Sequence, residues 1–163
     1  MLTDLRKASR ILVCLRYGIG DVVMQLPALG ALRAAAPRAR ITGLGARPAV
    51  EFLEDDPRLD RVVCVQGMGF THLGDRGTEA DRTRAAAWLA HERFDLILDP
   101  SHAVVRLQEL LRSAGAPVLD ITPEVQNRAL GVSANGVTAM NAAAAEAWGI
   151  RSAARPTVTL FKV

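Results

Sequence analysis

The feature that most constrains this fold is a regular alternation between short apolar runs and longer stretches of helical character. The apolar runs are rich in aliphatic and β-branched residues, and they lie at 10–15, 40–44, 60–65, 94–99 and 117–121. Strands that alternate with helices predict a parallel sheet with right-handed crossovers and helices on both faces. We therefore expect an α/β, Rossmann-like fold with the first strand in a central position, because its run is apolar throughout.

The intervening stretches predict the helices, which lie at 22–36, 48–54, 79–92, 103–113 and 135–148. In the first of them Val22, Leu26 and Leu29 recur with three- and four-residue spacing, which is typical of a buried helix face. Pro27 lies inside the same stretch. Because proline has no amide hydrogen, it predicts a kink or a late start of this helix.

Length and composition limit the class of protein. The 163 residues suit one domain, and 50% hydrophobic with 23% charged residues is typical of a folded globular chain. No apolar run approaches the roughly 20 residues of a membrane helix, and the N-terminal apolar stretch is too short for a signal peptide. We therefore expect a cytoplasmic protein. Aromatic residues make up only 4%, so stacking platforms are scarce and no nucleic-acid partner is expected.

The two cysteines do not predict a disulfide or a metal site. Cys14 and Cys64 both lie in apolar runs, where we interpret them as buried free thiols. The chain has no C-x-x-C or H-x-x-x-H spacing, so we expect no bound metal.

A glycine-containing turn, Gly18-Ile19-Gly20-Asp21, follows the first strand, at the edge where parallel sheets bind ligands. The G-x-G-x-x-G fingerprint of dinucleotide sites is incomplete because Val23 stands at the third glycine position, and no cofactor is expected. Asp21 has two compatible interpretations that spacing alone does not separate. It caps the following helix, or it accepts a proton from a bound hydroxyl group as a general base.

Several motifs in the first hundred residues together resemble the opening of the family 9 glycosyltransferases, the bacterial heptosyltransferase family. The resemblance rests on a Gly-Asp turn after the first strand, a Leu-Pro-Ala-Leu segment, a Leu-Arg pair, a Pro-x-Ala-x-Ile second strand and an Asp-flanked apolar run. These are found at 20–23 (GDVV), 26–29 (LPAL), 32–33 (LR), 37–41 (PRARI) and 93–100 (RFDLILDP). The remainder of the chain matches only in the order of its elements.

This resemblance implies the acceptor-binding, N-terminal half of a GT-B glycosyltransferase. Residues 1–155 would form that domain, and 156–163 would begin the interdomain linker or the next element. The donor, ADP-heptose or a related nucleotide sugar, would be held by a second, C-terminal domain that is missing from this chain. The transfer would invert the anomeric carbon without a metal, and the aspartate of the Gly-Asp turn, Asp21, would be the general base.

The resemblance also implies an anionic glycan or glycolipid acceptor of the lipopolysaccharide type, which leaves room for peripheral association with the inner membrane. The candidate acceptor-binding residues are Arg16, Gly18, Gly20, His102 and Arg112. Three of them have simpler interpretations: Arg16 as a solvated strand end, Arg112 as a charge at a helix C-terminus, and His102 as an ordinary loop residue. One local departure is Tyr17-Gly18-Ile19 where several family members have serine before Gly-Asp, so the acceptor could differ.

An alternative function stays open from the sequence. A Rossmann-like domain of this kind could bind a nucleotide or another anion without catalysis. The charge of Asp21 argues against a phosphate at the glycine turn, because the two negative charges would repel each other.

Overall fold

The computed structural model describes residues 7–15, 18–73, 75–99, 109–112 and 114–120. Within these residues the strands are β1 (Arg10–Cys14), β2 (Arg40–Gly45), β3 (Arg61–Cys64), β4 (Leu96–Asp99) and β5 (Val118–Asp120). The helices are α1 (Ile19–Ala35), α2 (Ala49–Phe52) and α3 (Glu79–Glu92), with a 3₁₀ turn at Val65–Met68. None of these helices is long and apolar enough to cross a bilayer.

The five strands form one parallel sheet in the order β3-β2-β1-β4-β5. Val13 of β1 lies opposite Gly43 of β2 and Leu98 of β4. The prediction of a parallel sheet with β1 inside it is confirmed. The chain builds the sheet outward from β1: β2 and β3 lie on one side of it, and β4 and β5 lie on the other. Sheets with such a reversal of strand order bind ligands in the crevice at the carboxyl ends of the strands, at the point of reversal.

Helices cover both faces of the sheet, as predicted. Alternate residues of β1 point to opposite faces, and each set enters a different core. Ile11 and Val13 pack with Leu29 and Leu32 of α1 on one face. On the other face Leu12 packs in a cluster that includes Leu89 of α3, Phe94 and Leu111.

The first helix departs from its predicted start. α1 begins at Ile19, three residues earlier than expected, and it continues through Pro27 to Ala35. Gly18 precedes the helix in an extended conformation, with φ −93° and ψ 153°, so the glycine turn itself forms the first turn of α1. The expectation of a late start is wrong. One proline removes a single backbone hydrogen bond, and here the packing of Val22, Leu29 and Leu32 into the core outweighs that loss.

Other boundaries differ by a few residues. α2 is limited to Ala49–Phe52, and the predicted third strand ends at Cys64 before the 3₁₀ turn. Of the predicted helix at 103–113, the structure describes the helical residues 109–112. The predicted helix at 135–148 and the domain limits at 155 and 156–163 lie outside the described residues.

Ion pairs fasten the amino-terminal edge of the sheet. Glu92, at the end of α3, pairs with Arg10 of β1 at 3.1 Å and with Arg61 of β3 at 2.7 Å. Burial opposes ionisation of Glu92, but hydrogen bonds and charge from Arg61 and Arg10 outweigh it and hold the pKa of Glu92 below its usual value. The Asp95 carboxylate accepts the backbone N–H groups of Ser9 and Arg10. These contacts lie at the edge opposite the glycine turn, so they stabilise the sheet without occupying its ligand-binding edge.

Candidate functional site

The candidate site is built on the turn that joins β1 to α1. Gly18 is the N-cap of α1, and Asp21 is the third residue of the helix. The interpretation of Asp21 as the N-cap is therefore wrong, because Gly18, three residues earlier, takes that position. Asp21 lies half-buried in the first turn, where the helix dipole favours a carboxylate.

The Asp21 carboxylate lies back over the start of its helix. A Cβ atom added to Gly18 would lie 3.2 Å from Oδ2 of Asp21, so the absence of a side chain at Gly18 makes room for the carboxylate. Gly20 is exposed, and a Cβ atom there would meet no atom of the described residues within 4 Å. Among those residues, the surface beside Asp21 is open enough for a ligand to approach the backbone.

Two exposed apolar side chains lie near the start of α1. Ile19 is 44% exposed and Val23 is 37% exposed, and they lie one helical turn apart. Asp21 is two residues from each of them, and residues two apart on a helix do not share a face. The two apolar side chains therefore project away from the side of α1 on which the Asp21 carboxylate stands.

The remaining predicted site residues are distributed differently. Gly18 and Gly20 lie beside Asp21 at the start of α1. Arg16 and His102 lie outside the described residues. Arg112 is exposed at the end of the helical segment 109–112, whose neighbour Leu111 packs on the sheet face opposite α1.

The structure also adds a residue that sequence analysis missed. Gln25, one helical turn after Asp21, is only 5% exposed, and its Nε2 donates a hydrogen bond to the carbonyl oxygen of Cys14 at 3.0 Å. A glutamine within the apolar face of a helix was the signal that could have found it. This bond joins α1 directly to the carboxyl end of β1.

Each of the two cysteines is the last residue of a strand, Cys14 in β1 and Cys64 in β3. Burial, together with the negative charge of Asp99, raises the pKa of Cys14 well above its usual value. Cys64 is half-buried, and its thiol donates to Oε1 of Gln66 at 2.8 Å. Both cysteines are free, as predicted, although Cys64 is less buried than expected. Cys14 is therefore unsuited to nucleophilic chemistry. Among the described residues, no three His, Cys, Asp or Glu side chains are grouped so that they could hold a metal ion.

The loop between β3 and α3 is held by its own side chains. The carboxylate of Asp75 accepts the N–H of Thr71, the N–H of Gly77 and the Thr71 hydroxyl, and these bonds lower the pKa of Asp75 to about 2. Thr78 and Asp81 form a capping box at the start of α3. The loop therefore has a defined shape at the ligand-binding edge.

The arginines of this region serve mainly the loop itself. Arg82 donates to the carbonyl oxygens of Arg76 and Gly77, and Arg84 donates to the carbonyl oxygen of Met68 at 2.7 Å. The Arg76 side chain is exposed. Beneath the loop, on the α3 face, lies a small, largely apolar cleft lined by Val65, Phe70 and Leu89 among others.

Comparison with solved structures places this architecture among known glycosyltransferases. A glycosyl transferase family 9 protein from Veillonella parvula superposes with a TM-score of 0.63 at 18% identity, over 92% of this chain and 43% of that one. The E. coli heptosyltransferase WaaC, solved with ADP, gives 0.58 at 15% identity over 88% of this chain and 49% of its own. E. coli ADP-heptose lps heptosyltransferase II gives 0.51 at 20% identity, over 68% and 30% of the two chains.

The chain thus spans less than half the length of these solved proteins. No protein-family model and no curated protein sequence matches it. At these identities the comparison concerns the backbone. The parallel sheet, the helices on both its faces and the similarity to three solved transferases together show that this chain has the α/β, Rossmann-like fold of the family 9 glycosyltransferases.

Proposed function

We propose that this chain is the acceptor-binding half of an inverting, metal-independent glycosyltransferase, with Asp21 as the general base. The observation that carries the proposal is the placement of Asp21. Its carboxylate stands in the first turn of α1, at the carboxyl end of the central strand and beside the open surface at Gly20. The fold shared with family 9 glycosyltransferases supports the reaction class.

In the proposed reaction an acceptor hydroxyl lies within about 3 Å of the Asp21 carboxylate. Its oxygen attacks the anomeric carbon of a nucleotide sugar while Asp21 takes the hydroxyl proton. The bond from that carbon to the diphosphate breaks, and its electron pair leaves with the nucleoside diphosphate. Attack from the face opposite the leaving group inverts the anomeric carbon. Asp21 releases its proton to water before the next turnover.

The donor is proposed to bind mainly to a second domain that faces this one. Solved neighbours hold ADP and ADP-2-deoxy-2-fluoro heptose, which supports ADP-heptose or a related nucleotide sugar as the donor. On this chain, the charge of Asp21 at the start of α1 opposes a phosphate at the position where Rossmann folds often bind one. The first turn of α1 is therefore suited to a neutral hydroxyl group rather than to the diphosphate.

The acceptor is proposed to be an anionic glycan or glycolipid of the lipopolysaccharide type. Gly18 and Gly20 would leave room for its sugar ring, and Arg16, His102 and Arg112 would hold its anionic groups. An acceptor of this kind is made at the inner membrane, so the protein would act in the cytoplasm with peripheral contact to that membrane.

Two measurements test this function. Isothermal titration of ADP and ADP-sugars into the 163-residue chain should show no tight binding, and the chain alone should not transfer sugar, since the groups that stabilise the leaving diphosphate are proposed to belong to the second domain. The full-length transferase should convert a nucleotide sugar and a lipopolysaccharide core acceptor. Tight nucleotide binding by the chain alone would instead favour the non-catalytic binding module.

A further inference from the structure

The buried face of α1 contains one polar side chain in an otherwise apolar contact with the sheet. Val22, Leu29 and Leu32 of this face are 0–1% exposed, and Gln25 is 5% exposed. Burying an amide in place of an aliphatic group costs free energy unless the amide is hydrogen-bonded. Gln25 meets this requirement because its Nε2 donates to the Cys14 carbonyl oxygen at 3.0 Å.

The backbone ladder explains why the Cys14 carbonyl is available. The N–H of Ile97 donates to the carbonyl oxygen of Pro117, on the β5 side of β4. Because successive N–H groups along a strand point to opposite sides, the N–H of Leu98 points towards β1. The next N–H in that series would belong to position 100, which is proline and has no amide hydrogen. A proline cannot continue this series of donors, and among the described residues Nε2 of Gln25 donates to the Cys14 carbonyl oxygen.

This bond acts at the base of the candidate site. Gln25 and Asp21 are four residues apart on α1, so they lie one above the other on the same side of the helix. Cys14 is the last residue of β1, and only four residues separate it from the start of α1. The bond thus fixes the first two turns of α1 against the end of the central strand.

We propose that Gln25 is a positioning residue for Asp21: by bonding the Cys14 carbonyl, it sets the height and rotation of the first turn of α1 above the sheet. The inference deepens the proposed function and rests on it for its catalytic consequence. Its structural part, the coupling between Gln25 and the Asp21 carboxylate, can be measured without any activity. Without the bond the buried Cys14 carbonyl loses the hydrogen bond from Gln25, and the helix shifts or rotates to let water replace it.

The test uses Gln25→Met, which keeps the length and volume of the side chain but removes the donor. The matched control is Gln66→Met, because Gln66 also donates from Nε2 to a backbone carbonyl, that of Thr71 at 2.9 Å, in the loop after β3. The first readout is the ¹³C chemical shift of the Asp21 carboxyl carbon in the folded chain, assigned by its loss in Asp21→Asn. We expect the resonance to move in Gln25→Met and to stay in place in Gln66→Met.

The second readout is steady-state kinetics of the full-length transferase. A misplacement of about 1 Å costs roughly 10²-fold in rate, so kcat should fall by about that factor in Gln25→Met, with the KM for the nucleotide sugar unchanged. If Gln25→Met does not fold, Gln25→Asn draws the amide away from Cys14 and gives the same two readouts.

The outcomes separate the two proposals. A moved Asp21 resonance with reduced kcat supports both. A moved resonance in a protein without transferase activity supports the positioning role and overturns the proposed function. An unmoved Asp21 resonance in a folded Gln25 variant, or an unchanged kcat in an active one, overturns the positioning role and leaves Gln25 as a structural residue only.

Discussion

Replacing Asp21 by asparagine in the proposed full-length transferase separates the proposed catalytic contribution of this carboxylate from its contribution to the helix. Asparagine keeps the size of the side chain but cannot take a proton. Loss of a general base lowers the rate by about 10²–10⁴-fold, which corresponds to about 2.7–5.4 kcal/mol in the activation barrier. The loss should appear in kcat more than in KM, because proton transfer occurs only in the transition state.

The expected effect of Asp21→Asn on the free energy of unfolding is much smaller than its effect on the activation barrier. Asp21 is the third residue of α1 and not its N-cap, so the substitution leaves the cap position untouched. It removes a charge from the first turn, and that interaction contributes about 0.3–1 kcal/mol. Thermal unfolding should therefore change little while kcat falls by orders of magnitude.

Glu79→Gln provides the matched control. Glu79 also lies in the first turn of a helix, α3, so its substitution removes the same kind of charge away from the glycine turn. Its effect on unfolding should equal that of Asp21→Asn, and its kcat should stay at the wild-type value. A kcat for Asp21→Asn within about tenfold of wild type would refute the assignment of Asp21 as the base.

Two further predictions concern the turn and the ion pairs. Gly18→Ala should reduce kcat, because its Cβ would lie 3.2 Å from Oδ2 of the Asp21 carboxylate. In Gly20→Ala the added Cβ would meet no described atom within 4 Å, so Asp21 should stay in place and kcat should be kept, while the KM for the acceptor rises because Gly20 is proposed to leave room for the sugar ring. Kinetics and thermal unfolding of both variants check this, and an equal loss of kcat would contradict it. Glu92→Gln should lower the unfolding free energy by about 1–3 kcal/mol, because it weakens two charge-assisted bonds. Since the folded-state pKa of Glu92 lies below its usual value of 4.5, the stability it contributes is present above pH 4.5 and is lost as pH falls through the folded pKa. Urea unfolding between pH 3 and 7 should show this loss in the wild type and a flatter profile in Glu92→Gln.

The path of the chain through the sheet could be predicted from the sequence because it depends on local patterns. A strand covered on both faces is apolar at every position, and β1 shows this in Ile11–Cys14, all of them fully buried. The crossover rule then converts the order of strands and helices into a parallel sheet. The Gly-Asp turn was likewise visible, since its position after β1 follows from the same alternation.

The start of α1 was predicted too late because the glycine turn was interpreted as a connection before the helix. Gly18 and Gly20 argue locally against a helix, and this outweighed the apolar Ile19, which stands three residues before Val22. The structure includes Ile19 and Gly20 in α1 because the extended Gly18 starts the helix and the core holds the turns that follow. That shift of three residues changes Asp21 from an expected cap to a carboxylate in the first turn.

By itself the sequence determined the α/β class, the central position of β1 and the placement of Asp21 at the ligand-binding edge, because periodicity and turn chemistry are properties of neighbouring residues. Only the tertiary structure decided what holds that edge in place. The bond from Gln25 to Cys14 depends on the register between β1 and β4 and on the end of the donor series at Pro100. Those residues are far apart in the chain, and no local pattern encodes which carbonyl a ladder leaves unpaired, because register is fixed only when the strands meet.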